Sequence, residues 1–146
     1  MNSVAAWMLM QAALVSGAPS YEQALADSQA NGRPLLVLIG ADWCPGCRTM
    51  KQRTMPRLAQ NGKLKPVEFA HVDTDHQEVL ANKLMRGNSI PQLILFTQTA
   101  DGWKRTQLTG AQSERAVETF IQEGLSVHVA KTEKPSAEGA TTGGQE

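Results

Sequence analysis

Cys44 and Cys47 are the only thiols in this chain, and two residues separate them in Trp43-Cys44-Pro45-Gly46-Cys47. A thiol is a strong nucleophile and a soft metal ligand only as its thiolate. The pair therefore points to two chemistries: exchange with a disulfide, in which one sulfur attacks and the other resolves the mixed disulfide, or capture of a soft ion such as Cu(I). A zinc ribbon needs a second cysteine pair or a cysteine–histidine pair at ligand spacing, and none follows. Two cysteines also exclude a framework of several structural disulfides.

The flanking residues favour exchange. If a helix opens at the motif, Cys44 is its N-cap, where unpaired backbone N–H groups and the positive end of the helix dipole favour a thiolate. Pro45 then takes the first helical position, where a missing N–H costs nothing. Gly46 lets Cys47 turn back toward Cys44. This reading makes Cys44 the exposed attacking sulfur and Cys47 the buried resolving one, with an apparent thiol pKa at Cys44 below the free-cysteine value of about 8.5.

The elements that must position this pair can be read from hydrophobic period and punctuation. Ser20 is an N-cap for a first helix carrying Tyr21, Ala24, Leu25 and Ser28 on one face, and Asn31-Gly32 closes it. Leu35 to Ile39 is apolar without alternation, as in a strand covered on both faces, and it leads into the cysteine motif. The motif helix is expected to end near Met55, because Pro56 lacks the N–H of a continuing helix and disfavours helical geometry before it. Val67 to Val72 reads as a second strand. Asp75 and Glu78 resemble a capping box for a helix through Val79, Leu80, Lys83 and Leu84, with Gly87 as its terminator. Leu93 to Thr97 and Trp103 to Thr109 form a hairpin around Asp101-Gly102, and a last helix places Ala116, Val117, Phe120 and Ile121 on one side. The predicted class is α/β, a central mixed sheet of parallel strands plus a C-terminal antiparallel hairpin, flanked by helices.

At 146 residues the chain supports one domain with tails. Its 14 basic and 14 acidic residues balance, so no long-range field draws it to nucleic acid, and none is expected as a partner. The apolar run Val4 to Val15, broken only by Gln11 and followed by Ser16-Gly17-Ala18, reads as a signal peptide over 1–18, although no Lys or Arg precedes it. The run is too short for a comfortable membrane span and no second one follows, so no span is expected in the mature protein. The expected domain is 19–126. Residues 127–146 are assigned to a disordered tail, since Lys131 to Glu146 holds no large apolar residue that could repay the entropy of ordering.

Ala41-Asp42-Trp43-Cys44-Pro45-Gly46-Cys47-Arg48, with Ile90-Pro91 before an apolar strand, resembles the thioredoxin family. Gly32-Arg33-Pro34, the Ala-Asp-Trp-Cys start and Thr54-Met55 are similar, more narrowly, to the C-terminal thioredoxin-like domain of bacterial thiol:disulfide interchange proteins. The resemblance runs from about Ser20 to Gly124. It implies the thioredoxin fold and a thiol–disulfide oxidoreductase with Cys44 and Cys47 catalytic. It further implies no cofactor beyond the redox-active Cys44–Cys47 disulfide, and a cis peptide at Ile90-Pro91. An X-Pro bond by itself favours trans. By the same resemblance, Trp43, Pro45, Gly46, Ile90 and Pro91 contact substrate. The implied partners are protein or peptide disulfides and an electron donor; with the signal peptide read over 1–18, the expected setting is periplasmic or otherwise extracytoplasmic, without export cytoplasmic, and the expected state a monomer. Ile90 before Pro91 matches reducing members of the family, so the direction leans to reduction.

The chain departs from the family pattern at Leu38 and Phe69, and its inner dipeptide Pro45-Gly46 reverses thioredoxin's Gly-Pro. Leu38 stands six residues before Cys44, where thioredoxins commonly bury a carboxylate, and Phe69 stands where a lysine usually accompanies it. Proton transfer at Cys47 must then use water or another group. The alternative function is a binding module of the same fold that holds Cu(I) or a protein without turnover, and the lack of a Met- or His-rich motif near the cysteines argues against metal. The group His71, Asp73, Asp75 and His76 could bind a metal, but a strand end followed by a helix cap explains it more simply, so no metal site is assigned.

Overall fold

The computed structural model describes residues 19–132. The expected signal peptide, 1–18, and residues 133–146 of the expected tail lie outside the described residues.

The first helix, α1 (Tyr21–Asn31), is capped at both ends as its sequence requires. The Ser20 side chain accepts the Gln23 N–H at 3.1 Å, and Gly32, at φ 75°, donates its N–H to the Ser28 carbonyl. β1 (Leu35–Gly40) follows, with every residue buried. Its lack of alternation has a direct cause, because its two faces pack against different helices. Leu36 and Leu38 join Leu93, Leu95, Met50, Met55, Leu58, Val117, Phe120 and Ile121 in one core. Leu35, Val37 and Ile39 join Ala24, Ala70, Val72, Ala81 and Ile94 in the other.

Four strands make the sheet, in the order β2-β1-β3-β4. β2 (Glu68–Asp73) runs parallel to β1, with Leu38 opposite His71 and Gly40 opposite Asp73. β3 (Gln92–Thr99) is antiparallel to β1, and β4 (Gly102–Thr109) completes the expected hairpin. The mixed sheet and late hairpin are those predicted, with helices covering both faces.

Four local readings need correction. The motif helix does not stop near Met55. α2 (Pro45–Thr49) passes into a π-helical turn (Met50–Thr54) and then α3 (Met55–Gln60), which carries Pro56 inside it. Met55 donates its N–H to the Met50 carbonyl, five residues back, so the widened turn makes room for a proline ring that would clash in a regular helix. Asp75 and Glu78 form no capping box. α4 (Glu78–Leu84) starts after Gln77 with no side-chain cap, while Asp73 accepts the N–H groups of Asp75 and His76 at 2.8 and 3.1 Å. Asp75 lies in the turn that Asp73 closes, two residues before the N-cap Gln77, whose N–H goes to the Asp73 carbonyl at 2.8 Å. Nor does Gly87 end α4, which stops at Leu84 with Met85 already extended. The last helix, α5 (Glu114–Thr132), also runs past the boundary expected at 126.

Candidate active site

Cys44 occupies the N-cap of α2, with extended backbone (φ −86°, ψ 117°), and Pro45 opens the helix. The two cysteines form a disulfide with Cα atoms 5.2 Å apart. The Cys47 N–H donates to Cys44 Sγ at 3.3 Å, so an unpaired donor of the helix end is spent on that sulfur. A thiolate at this atom would receive the same N–H and the helix dipole.

Exposure does not divide the sulfurs as expected. Cys44 is 7% exposed and Cys47 4%, because the closed disulfide tucks Cys44 against the Ile90 loop, with Sγ 3.9 Å from the Ile90 carbonyl oxygen. What distinguishes them is what each faces: Cys44 meets the loop, and Cys47 lies over β1.

The Ile90-Pro91 peptide is cis. Pro91 meets the motif at Gly46, where an added Cβ would lie 3.5 Å from Pro91 Cδ and 3.3 Å from the Ala111 Cβ. The Pro91 carbonyl accepts the Gly110 N–H at 2.8 Å. Cys44, Gly46, Ile90 and Pro91 are thereby brought together. Trp43 stands beside Cys44 at 66% exposure, and Pro45 is exposed on the same turn. Arg48 and Lys51 do not reach the sulfurs. Arg48 donates to the Asp42 carbonyl at 3.2 Å and Lys51 pairs with the Asp42 carboxylate at 3.0 Å, so both hold the approach to the motif.

Two residues that position this site escaped the sequence reading. Gly40 ends β1 directly beneath Cys47, and a Cβ there would fall 2.8 Å from Cys47 Cβ and 2.9 Å from its Sγ. A glycine closing an otherwise wholly apolar strand is the available signal, since it marks close approach of another group. Gln92 is fully buried at the start of β3. Its amide oxygen accepts the Arg86 N–H at 3.2 Å, and its amide nitrogen donates to the carbonyls of Arg86, Gly87 and Ser89 at 3.0 to 3.3 Å. One side chain thus staples the segment that leads into the cis proline.

Gln92→Leu keeps the volume and removes all four bonds. Stranding those backbone groups should cost about 2–3 kcal/mol, which lowers the thermal midpoint by roughly 10 °C and slows exchange at Cys44. A midpoint and exchange rate equal to those of the parent protein would show that the loop is held without this amide.

Among the described residues no three His, Cys, Asp or Glu side chains converge on a point that could hold an ion. His71 faces Leu38 and Lys51 across a groove, whereas His76 pairs with Asp73 on the turn after β2.

The chain's likenesses agree with this geometry. The family model described as thioredoxin-like matches residues 16–98. The thiol:disulfide interchange protein DsbD of Klebsiella pneumoniae is 25% identical over 112 residues, covering 75% of this chain and 18% of that protein. This chain therefore spans less than a fifth of that relative. A thioredoxin from Thermus thermophilus superposes with a TM-score of 0.64 at 22% identity, over 82% of this chain and 94% of that one. Trxlp from Edwardsiella tarda superposes with a TM-score of 0.54 at 27% identity, over 70% and 95%. With a family match over more than half its length, and the Cys-x-x-Cys pair and cis proline set side by side on this sheet, the chain belongs to the thioredoxin-like family.

Proposed function

We propose that this chain is a thiol–disulfide oxidoreductase that works on disulfides of exported proteins, in the reducing direction, through Cys44 and Cys47. The observation that carries the reading is the placement of Cys44 Sγ at the N-terminus of α2 and 3.9 Å from the Ile90 carbonyl of the cis-proline loop. A sulfur so placed can attack a disulfide held along Ile90 and Pro91, with Trp43, Pro45 and Gly46 forming the rest of the contact surface. Cys47, one turn into the helix, closes the ring and expels the product thiol. The redox disulfide is the only cofactor this scheme requires. Export rests on the apolar run before Ser16-Gly17-Ala18, and a reductase outside the cytoplasm would need an electron donor. Among the described residues no helix is long and apolar enough to cross a membrane.

The test is turnover of an oxidised peptide with a chemical reductant in excess, together with equilibration of the Cys44–Cys47 pair against glutathione. Multiple turnovers and a potential nearer −270 than −120 mV, roughly the limits of the fold, are expected. A potential near the upper limit would make the chain an oxidant. Stoichiometric Cu(I) binding without turnover would make it a binding module. Protein recovered from its host should begin near Pro19, and an intact Met1 on cytoplasmic protein would overturn export.

A further inference from the structure

Closing the Cys44–Cys47 bond requires the Cys47 thiol to lose a proton as it attacks, and Cys47 sits over Gly40 on the sheet face that carries Leu36 and Leu38. No carboxylate lies beneath it on β1. The same face of β2 carries Phe69, His71 and Asp73, since Ala70 and Val72 belong to the opposite core. Asp73 is directly across from Gly40, but its carboxylate already accepts the N–H groups of Asp75 and His76 and pairs with His76 Nδ1 at 3.0 Å. Burial raises its pKa, yet those hydrogen bonds outweigh burial and leave it below the usual value, so it is a weak base. His71 is opposite Leu38, one diagonal step from Gly40 on the same face of the sheet.

His71 is half-buried and lines a groove of about 820 Å³ with Leu38, Lys51, Met55, Phe69 and Gln77. The groove opens to solvent along the motif helix at Lys51, one turn past Cys47, so the imidazole exchanges protons with water on the side of the sheet that Cys47 covers.

Resting on the oxidoreductase reading, we propose that His71 is the proton acceptor for Cys47 in the resolving step. In that step the Cys47 thiol gives its proton through solvent to the imidazole, and its sulfur attacks Cys44 Sγ. The Cys44–substrate S–S bond breaks, and the substrate sulfur leaves with the electron pair and takes a proton from water. The dithiol is oxidised and the substrate disulfide reduced, with no other reactant needed.

The charges around His71 suit a base. Burial, then Lys51 on the π-helical turn, hold its pKa below the ordinary value of 6.5, while Asp73 on its own strand and Asp42 before the motif oppose that shift more weakly. Leu38, Phe69, Met55 and Gln77 present no charge. The imidazole is therefore neutral at pH 7 and free to accept a proton.

The test is stopped-flow reaction of the reduced protein with an aromatic disulfide whose released thiolate absorbs. The first release reports attack by Cys44 and the second reports resolution by Cys47. In the parent protein the second rate should fall as pH drops through an inflection below 6.5, where His71 becomes protonated. In His71→Phe and His71→Gln the first phase should persist. The second should fall about 100-fold at pH 7, the lower end of a positioned base's contribution, and climb steadily with pH as hydroxide takes over. Lys51→Gln removes a cation that depresses the His71 pKa, so it should move the inflection upward. A second phase with unchanged rate and profile in either His71 variant, or an inflection unmoved in Lys51→Gln, overturns the assignment. Equal loss in both phases overturns it too, by showing a structural role only. Absence of any thiolate release from the parent protein would instead overturn the oxidoreductase reading.

Discussion

Cys47→Ser should leave the chain covalently attached to its substrates. Cys44 at the helix N-cap still attacks, since its helix-end N–H donor and the dipole do not depend on the second sulfur, but nothing then expels the bound partner. Mixed disulfides through Cys44 should accumulate on non-reducing gels and vanish with reductant, and turnover should be lost. Cys44→Ser should trap almost nothing, because Cys47 lies one turn into the helix over Gly40, whereas Cys44 faces the Ile90 loop. In Cys47→Ser, Cys44 should also alkylate at pH 7 faster than a free cysteine. Equal trapping by the two variants would sink the division of roles.

Gly40→Ala should damage the site almost as severely from beneath. The new methyl would stand 2.8 Å from Cys47 Cβ and 2.9 Å from Sγ, closer than such atoms approach. Gly40 cannot yield easily. Its strand is paired on both sides as far as Ile39, Gly40 itself pairs with Asp73, and its carbonyl accepts the Thr74 N–H at 2.9 Å. Cys47 must move instead, and with it the first turn of α2. Overpacking of this kind costs about 1–3 kcal/mol, and displacement of a reacting group by an ångström can lower a rate about 100-fold. Thermal unfolding and peptide-disulfide reduction should both show the loss. A variant with the parent's midpoint and rate would mean that the floor under Cys47 is more yielding than its pairing indicates.

Cys44, Pro45 and Cys47 were legible in the sequence because their chemistry is local. An N-cap, a proline at the first helical position and two thiols one turn apart depend on little beyond the helix that holds them. The first helix was equally legible, with Ser20 and Gly32 capping it from within a few residues. β1 could be read as doubly covered because five consecutive apolar residues leave a strand no solvent face.

The errors fall where the deciding partner is distant or the local rule has an exception. Pro56 reads as a stop in any window of sequence, yet the π-helical turn before it lets the helix continue, with Met50 and Met55 fully or nearly buried in the core shared with α5. Asp75 has the spacing of a cap, but Asp73, placed by its pairing with Gly40, draws the N–H groups of Asp75 and His76 into a turn, and the helix starts only after Gln77. The cis state of Ile90-Pro91 came from family resemblance, since the isolated bond prefers trans.

Gln92, Gly40 and His71 gain their meaning only in three dimensions. A glutamine opening a strand gives no sign that it staples the preceding loop. A strand-end glycine does not name the cysteine seven residues later as its neighbour. His71 reaches the face of Cys47 only because parallel pairing of β1 and β2 sets it opposite Leu38. The sequence by itself determined which atoms could do thiol chemistry and the local turn that activates them. Tertiary structure decided what floors and flanks them, because those contacts join segments whose proximity is set by strand register and core packing rather than by neighbours along the chain.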